Sequence, residues 1–219
     1  NSIMKDRPKC KCGNTSNPNG YCDGSHLNKK SDMKKKNIFL LVSILIITMS
    51  YGQKLTLDTS KSQLKWKGKE ITTKEHYGSL VFKSGYLTLK NNKPYGGKFI
   101  VDMTSLKNED LPEDYRGRLE GHLKSDDFFS IEKFPVSILE VKGSSEQNKY
   151  SYEVIGELTI KGIKHPITFT MEKNNDKWKS DLIFDRSKYD VKFRSGTFFE
   201  NLGDKLIYDD IVIETELFF

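Results

Sequence analysis

The sequence predicts an all-β, antiparallel domain with one short helical insertion, covering residues 53–219 of the 219-residue chain. Two patterns carry this. Short runs of alternating polarity recur along that length, and Gly-, Asn- or Pro-containing turn signals separate them. A third observation agrees: 10 Tyr, 13 Phe and 2 Trp are mostly interleaved with Val, Ile and Thr, residues that suit a pleated, half-buried surface.

In chain order, Lys54–Asp58 and Gln63–Lys67 alternate, followed by Gly78–Phe82, Tyr86–Lys90 and Gly97–Met103. Further strands are expected at Pro135–Lys142, Ser151–Ile160, Pro166–Met171, Lys177–Phe184 and Ile211–Phe219. Turns are expected at Lys83-Ser-Gly85, Asn91-Asn-Lys-Pro94, Gly143-Ser-Ser145, Lys161-Gly162 and Asn174-Asn-Asp176. From Pro112 through Leu119, His122 and Leu123 the spacing becomes helical, with proline near the start. Pattern alone allows a sandwich or a barrel. Closure into a barrel removes aggregation-prone edges, and about eight strands leave room for one ligand.

An apolar binding site needs inward apolar side chains on many strands. The alternating sets supply Leu64 and Trp66, Leu87 and Leu89, Phe99 and Val101, and Val136 and Ile138. They continue with Ile167 and Phe169, Leu182 and Phe184, and Ile211 and Ile213. The competing reading of each is plain core, since strand interiors are apolar with or without a ligand.

The net charge of +6 sits outside this domain: residues 1–36 carry nine Lys/Arg against three Asp, and the remainder carries 27 basic and 27 acidic groups. A nucleic-acid-binding body would carry the excess itself, so nucleic acid is excluded as a partner. His76, His122 and His165 are far apart with no cysteine partners, so no metal or other cofactor is expected in the β domain; His165 reads as structural. No nucleophile elbow, phosphate loop or Ser/His/Asp order appears, which argues against an enzyme; the competing class is an enzyme acting on an amphiphile.

Two smaller pieces precede the β domain. Residues 1–32 are polar and rich in Cys, Gly and Asn. Residues 33–52 open with Met33 and three lysines, continue with the apolar run Ile38–Met49 and end in Ser50-Tyr-Gly52. That is the pattern of a secretory signal peptide, too short to cross a bilayer comfortably, which takes about 20 residues. The alternatives are an uncleaved anchor or a buried helix. Cleavage after Gly52 would place the β domain in the periplasm or outside the cell, while residues 1–32, if translated ahead of it, stay cytoplasmic. Met4 and Met33 are both candidate starts.

Several blocks resemble the YceI family of lipocalin-like proteins: His76-Tyr-Gly-Ser-Leu-Val-Phe82, Leu119-Glu-Gly-His-Leu-Lys-Ser-Asp-Asp-Phe-Phe129 with Ile131-Glu-Lys-Phe-Pro135, Gly156-Glu-Leu-Thr-Ile160 and Phe184-Asp-Arg-Ser-Lys-Tyr189. The resemblance implies an eight-stranded antiparallel lipocalin-like barrel with a helical insertion. It also implies a periplasmic location, near the membrane, and a polyisoprenoid, isoprenoid quinone or related amphiphilic lipid as ligand. Homodimerisation is left open.

Upstream, Cys10-Lys-Cys12 and Cys22-Asp-Gly-Ser-His26 bring three thiols and an imidazole into one short segment. Such a set suits an iron–sulfur cluster; zinc or idle thiols are the alternatives. The segment resembles the CDGSH iron–sulfur family, which implies a [2Fe–2S] cluster on Cys10, Cys12, Cys22 and His26, with Asp23 supporting. The Cys12–Cys22 spacer is one residue longer than the family pattern, and Gly20 stands where proline is usual.

Overall fold

A computed structural model describes residues 9, 11, 15–21, 52–72 and 74–219. The expected signal segment and the four expected cluster ligands, Cys10, Cys12, Cys22 and His26, lie outside the described residues. In the first compact unit, Asn1–Tyr51, Lys9 and Tyr21 pair antiparallel across a turn closed by the Gly20 amide on the Asn17 carbonyl at 3.0 Å.

The second unit, Gly52–Phe219, contains nine strands and a helix. The strands are β1 (Gln53–Thr56), β2 (Gln63–Lys69), β3 (Glu75–Lys90), β4 (Lys93–Asn108), β5 (Val136–Asn148), β6 (Ser151–Ile160), β7 (Ile163–Asn174), β8 (Lys177–Asp185) and β9 (Asp210–Phe218), and the helix is α1 (Glu113–Lys124). Successive strands pair antiparallel from β2 to β9, and β9 pairs back onto β2. Eight strands therefore close into a barrel with no free edge among them. The short β1 lies on the second half of β3, beyond the part that pairs with β2.

Alternation sets which side chains enter the barrel. In β8, Trp178, Ser180, Leu182 and Phe184 are buried while Lys179, Asp181 and Ile183 face water. Cross-strand partners share a face, so Phe184 meets Ile211 and Leu182 meets Ile213 inside. The hairpin turns at Asn91-Asn92 and Lys161-Gly162 hold both central residues at positive φ (52° and 62°, 50° and 75°). That conformation matches the twist of flanking strands and favours Asn and Gly.

Two expected turns are instead irregularities within long strands. Lys83-Ser-Gly85 does not reverse the chain: Gly78–Phe82 and Tyr86–Lys90 fuse into β3, with a register shift between Phe82 and Ser84. Gly143-Ser-Ser145 lies inside β5 beside a shift between Val141 and Gly143. One extra residue bends a strand without ending it. At the β3 bulge the inward phase passes from Leu80 and Phe82 to Leu87 and Leu89.

Gly78 marks a close approach between strands. A Cβ there would sit 1.9 Å from the Lys107 carbonyl oxygen and 2.9 Å from Cζ2 of Trp66. Only glycine lets β3 and β4 pair here while the Trp66 indole donates to that same carbonyl at 3.1 Å.

Helix α1 begins directly after Pro112, which cannot extend the helix backward but fits its start. Glu113 and Asp114 in its first turn and Lys124 in its last complement the helix dipole. Of the helix, only Leu123 is fully buried, within a cluster containing Trp66, Met103, Leu106, Phe128, Ile131 and Val191. α1 lies over one end of the barrel. The other end is filled by Leu87, Leu89, Tyr152 and Trp178, the last two with ring centroids 5.7 Å apart.

Candidate ligand chamber

Two adjacent spaces share part of their walls inside the β domain. The inner one is a cavity of about 100 Å³, walled by Leu64, Phe82, Phe99, Leu158, Phe169, Leu182 and Phe184 among others. Two of its polar side chains, Ser180 and Thr215, bond each other through their hydroxyls at 3.0 Å. The outer space, a chamber of about 640 Å³, lies under α1. That falls within the roughly 300–1,000 Å³ of typical ligand sites.

α1 positions one wall. Tyr115, Arg118, Leu119, His122 and Leu123 all border the chamber. Their spacing places them on one helix face, one turn after another. The opposing wall comes from Trp66 and Gly68 on β2, Leu80 on β3 and Met103 and Leu106 on β4. Phe128 and Phe129 follow the helix, and Phe193, Arg194 and Ile207 come from the long β8–β9 connection. Leu80, Met103 and Phe129 border both spaces and so form the partition between them.

Polar groups also border the chamber. His76 Nδ1 lies 2.8 Å from Asp110 Oδ2. Burial pushes the Asp110 carboxyl up, but the bond to His76, the Tyr77 amide and the Asn108 side chain outweigh it and hold the pKa below the ordinary value. Lys69, Glu70, Arg118 and Arg194 line the same space. His122 packs edge-on against Phe193 at 4.4 Å and Phe128 at 5.5 Å, and its Nε2 is buried with no protein partner.

Beneath Phe128 lies the most deeply buried charge among the described residues. Arg186 is fully buried, with its guanidinium carbon 5.3 Å from the Phe128 ring centre. It donates to the carbonyls of Tyr208 (3.2 Å), Val191 (3.1 Å) and Ile207 (3.1 Å), and Nη2 lies 3.2 Å from Asp209 Oδ1. Asp209 Oδ2 accepts from Ser195 and Thr197, both at 2.8 Å. Arg186 thus pins both ends of the β8–β9 connection behind the chamber wall. Tyr189, at the end of the 3₁₀ turn Arg186–Tyr189, has its pKa pushed up to about 12, chiefly by burial.

Seven of the twelve expected lining residues border the inner cavity: Leu64, Phe99, Val101, Ile138, Phe169, Leu182 and Phe184. Trp66 borders the outer chamber. Leu87 and Leu89 belong instead to the packed far end, and Ile167 packs against the core without lining either space. Val136 lines neither; Ser137, its buried neighbour, takes the inward position opposite Val101. Ser137 and Leu139 border the cavity beside Ile138, so of the expected β5 pair only Val136 misses it.

The chamber residues of the β8–β9 connection, Phe193, Arg194 and Ile207, were not marked by the sequence pattern, because that segment has no periodicity. His165 is on β7, with Nε2 2.9 Å from the Lys188 carbonyl and its ring edge-on to Tyr189. Among the described residues no group of three or more His, Cys, Asp or Glu side chains could hold a metal ion. No helix among them is long and apolar enough to cross a membrane.

A closed up-and-down barrel with a helix over one end and an apolar chamber beneath it defines a lipocalin-like barrel. The YceI-like domain matches residues 55–219, and the chain belongs to that family. A UPF0312 protein of Pseudomonas putida strain W619 is 24% identical over 147 residues, covering 64% of this chain and 74% of the relative. BcnA of Burkholderia cenocepacia shares the fold with a TM-score of 0.56 at 19% identity, over 74% of this chain and 98% of that one. So does a polyisoprenoid binding domain of Saccharophagus degradans implicated in plant cell wall breakdown. Its TM-score is 0.51 at 14% identity, over 74% of this chain and 95% of that one.

Proposed function

We propose that residues 53–219 form an exported carrier that holds a polyisoprenoid, an isoprenoid quinone or a related amphiphilic lipid. The chain lies in the chamber beneath α1 and the polar end at its rim. The observation that carries this reading is the chamber itself: about 640 Å³ of mostly apolar space, bordered also by charged residues and next to an apolar interior cavity. The polyisoprenoid-binding description of the Saccharophagus degradans domain supports the ligand class. Burial supplies the affinity, at roughly 25 cal/mol per Å² of apolar surface removed from water.

The test is native mass spectrometry of the protein mixed with geranylgeraniol. A 1:1 complex with the alcohol unchanged after incubation is expected. Absence of any complex would overturn the reading, and conversion of the alcohol would favour an enzyme.

For the N-terminal segment we propose a [2Fe–2S] cluster on Cys10, Cys12, Cys22 and His26. The turn at Asn17–Gly20 supports it, because the antiparallel pair it joins, Lys9 and Tyr21, consists of the residues just before Cys10 and Cys22. The purified full chain should then contain iron and acid-labile sulfide in equal amounts; zinc alone, or neither, would refute it. In this second reading the chain is an iron–sulfur redox or electron-transfer protein.

A further inference from the structure

We infer that Phe129, backed by Leu80 and Met103, is a movable partition that sets how long an apolar chain the site accepts. The inference rests on the amphiphile reading above and specifies it. All three residues border both spaces, so a chain lying in the outer chamber meets them before it reaches the inner cavity. At about 100 Å³ the inner cavity is smaller than the roughly 150 Å³ apolar cavity that accommodates benzene. In the present conformation, then, a chain stops at the partition.

Of the partition residues, Phe129 is the one that follows α1, and its surroundings separate backbone from side chain. Three hydrogen bonds fix the backbone at and just after it: the Phe129 amide to the Leu123 carbonyl (3.2 Å), the Ser130 amide to the Ser125 carbonyl (2.9 Å) and the Ile131 amide to the Lys124 carbonyl (3.0 Å). Ser130 holds a left-handed φ of 49°, closing the turn tightly. The side chain has different freedom. The Phe129 ring is only partly buried: it packs edge-on against Phe128 at 5.5 Å and borders both spaces. Its neighbour Phe128 is fully buried and clasped between His122 and Arg186. Rotation of the Phe129 side chain, with no backbone change, would join the two spaces.

The experiment measures binding of straight-chain primary alcohols, from octanol to hexadecanol, through the intrinsic emission of the full-length protein; Trp66 borders the chamber. Each added methylene that reaches apolar surroundings should strengthen binding about fourfold. In the wild type this gain should stop at the length that fills the outer chamber. In Phe129→Ala the break should move to longer chains, with about fourfold tighter binding than wild type for each additional methylene admitted. Phe129→Leu, which keeps an apolar side chain and is the safer variant for folding, should move the break in the same direction by less.

An unchanged break in both variants would overturn the partition while leaving the carrier intact. Failure of the wild type to bind any chain length would overturn the amphiphile reading, and the partition with it.

Discussion

Replacing Arg186 by methionine is expected to destabilise the barrel by about 3–5 kcal/mol, the usual loss when one member of a buried charge pair is removed. Three backbone carbonyls lose their donor, and Asp209 keeps a mostly buried carboxylate with no counter-charge. An isosteric apolar side chain cannot satisfy either loss. The damage should concentrate where Arg186 works: the β8–β9 connection and the wall under Phe128. Urea unfolding followed by tryptophan emission measures it. Arg186→Met combined with Asp209→Leu should recover part of the loss, because the stranded charge is then gone. A single variant within about 1 kcal/mol of wild type would contradict this account.

The second large effect concerns binding rather than stability. Leu119→Trp enlarges a side chain on the chamber face of α1, at a half-buried position with empty space in front of it. If the indole excludes about 100 Å² of ligand surface, binding weakens by about 2.5 kcal/mol, or roughly 70-fold. Folding should be little changed, because the added volume enters a void and not a packed core. Leu119→Met, close in volume, should bind like wild type. The measurement is the dissociation constant for geranylgeraniol beside the urea midpoint of each variant. Unchanged affinity in a folded Leu119→Trp protein would mean that the ligand lies elsewhere.

The barrel was legible because its strands have one wet face. In β8, Lys179, Asp181 and Ile183 alternate with four buried residues, and a period of two is then unambiguous. β5 hid its phase for the opposite reason: Val136-Ser-Ile-Leu-Glu-Val141 carries apolar residues on both faces, so either phase looked inward until pairing with Val101 and Phe99 fixed it. The bulges in β3 and β5 were mistaken for turns because Ser and Gly mark both. Whether such residues reverse a strand or merely bend it depends on its partners.

The site divides in the same way. Trp66 and most of the inner-cavity residues lie on strands and could be read from alternation. The wide chamber could not, since it forms where α1 and the aperiodic β8–β9 connection fold over the barrel end. Phe129 and His122 stood inside a motif-bearing block, but nothing in that block showed that one would divide two spaces and the other pack between two phenylalanines. Arg186 likewise sat in a recognisable stretch, Phe184–Tyr189. Its role depends on carbonyls of Ile207 and Tyr208, some twenty residues along the chain, which no local pattern reports.

The central claim is that an apolar chain occupies the space beneath α1. Nuclear Overhauser contacts between geranylgeraniol and the side chains of the saturated protein test it most directly. The account predicts contacts to Leu119, Met103 and Phe129. Contacts confined to the exposed outer-wall residues Val81, Ile155 and Ile183 would contradict it.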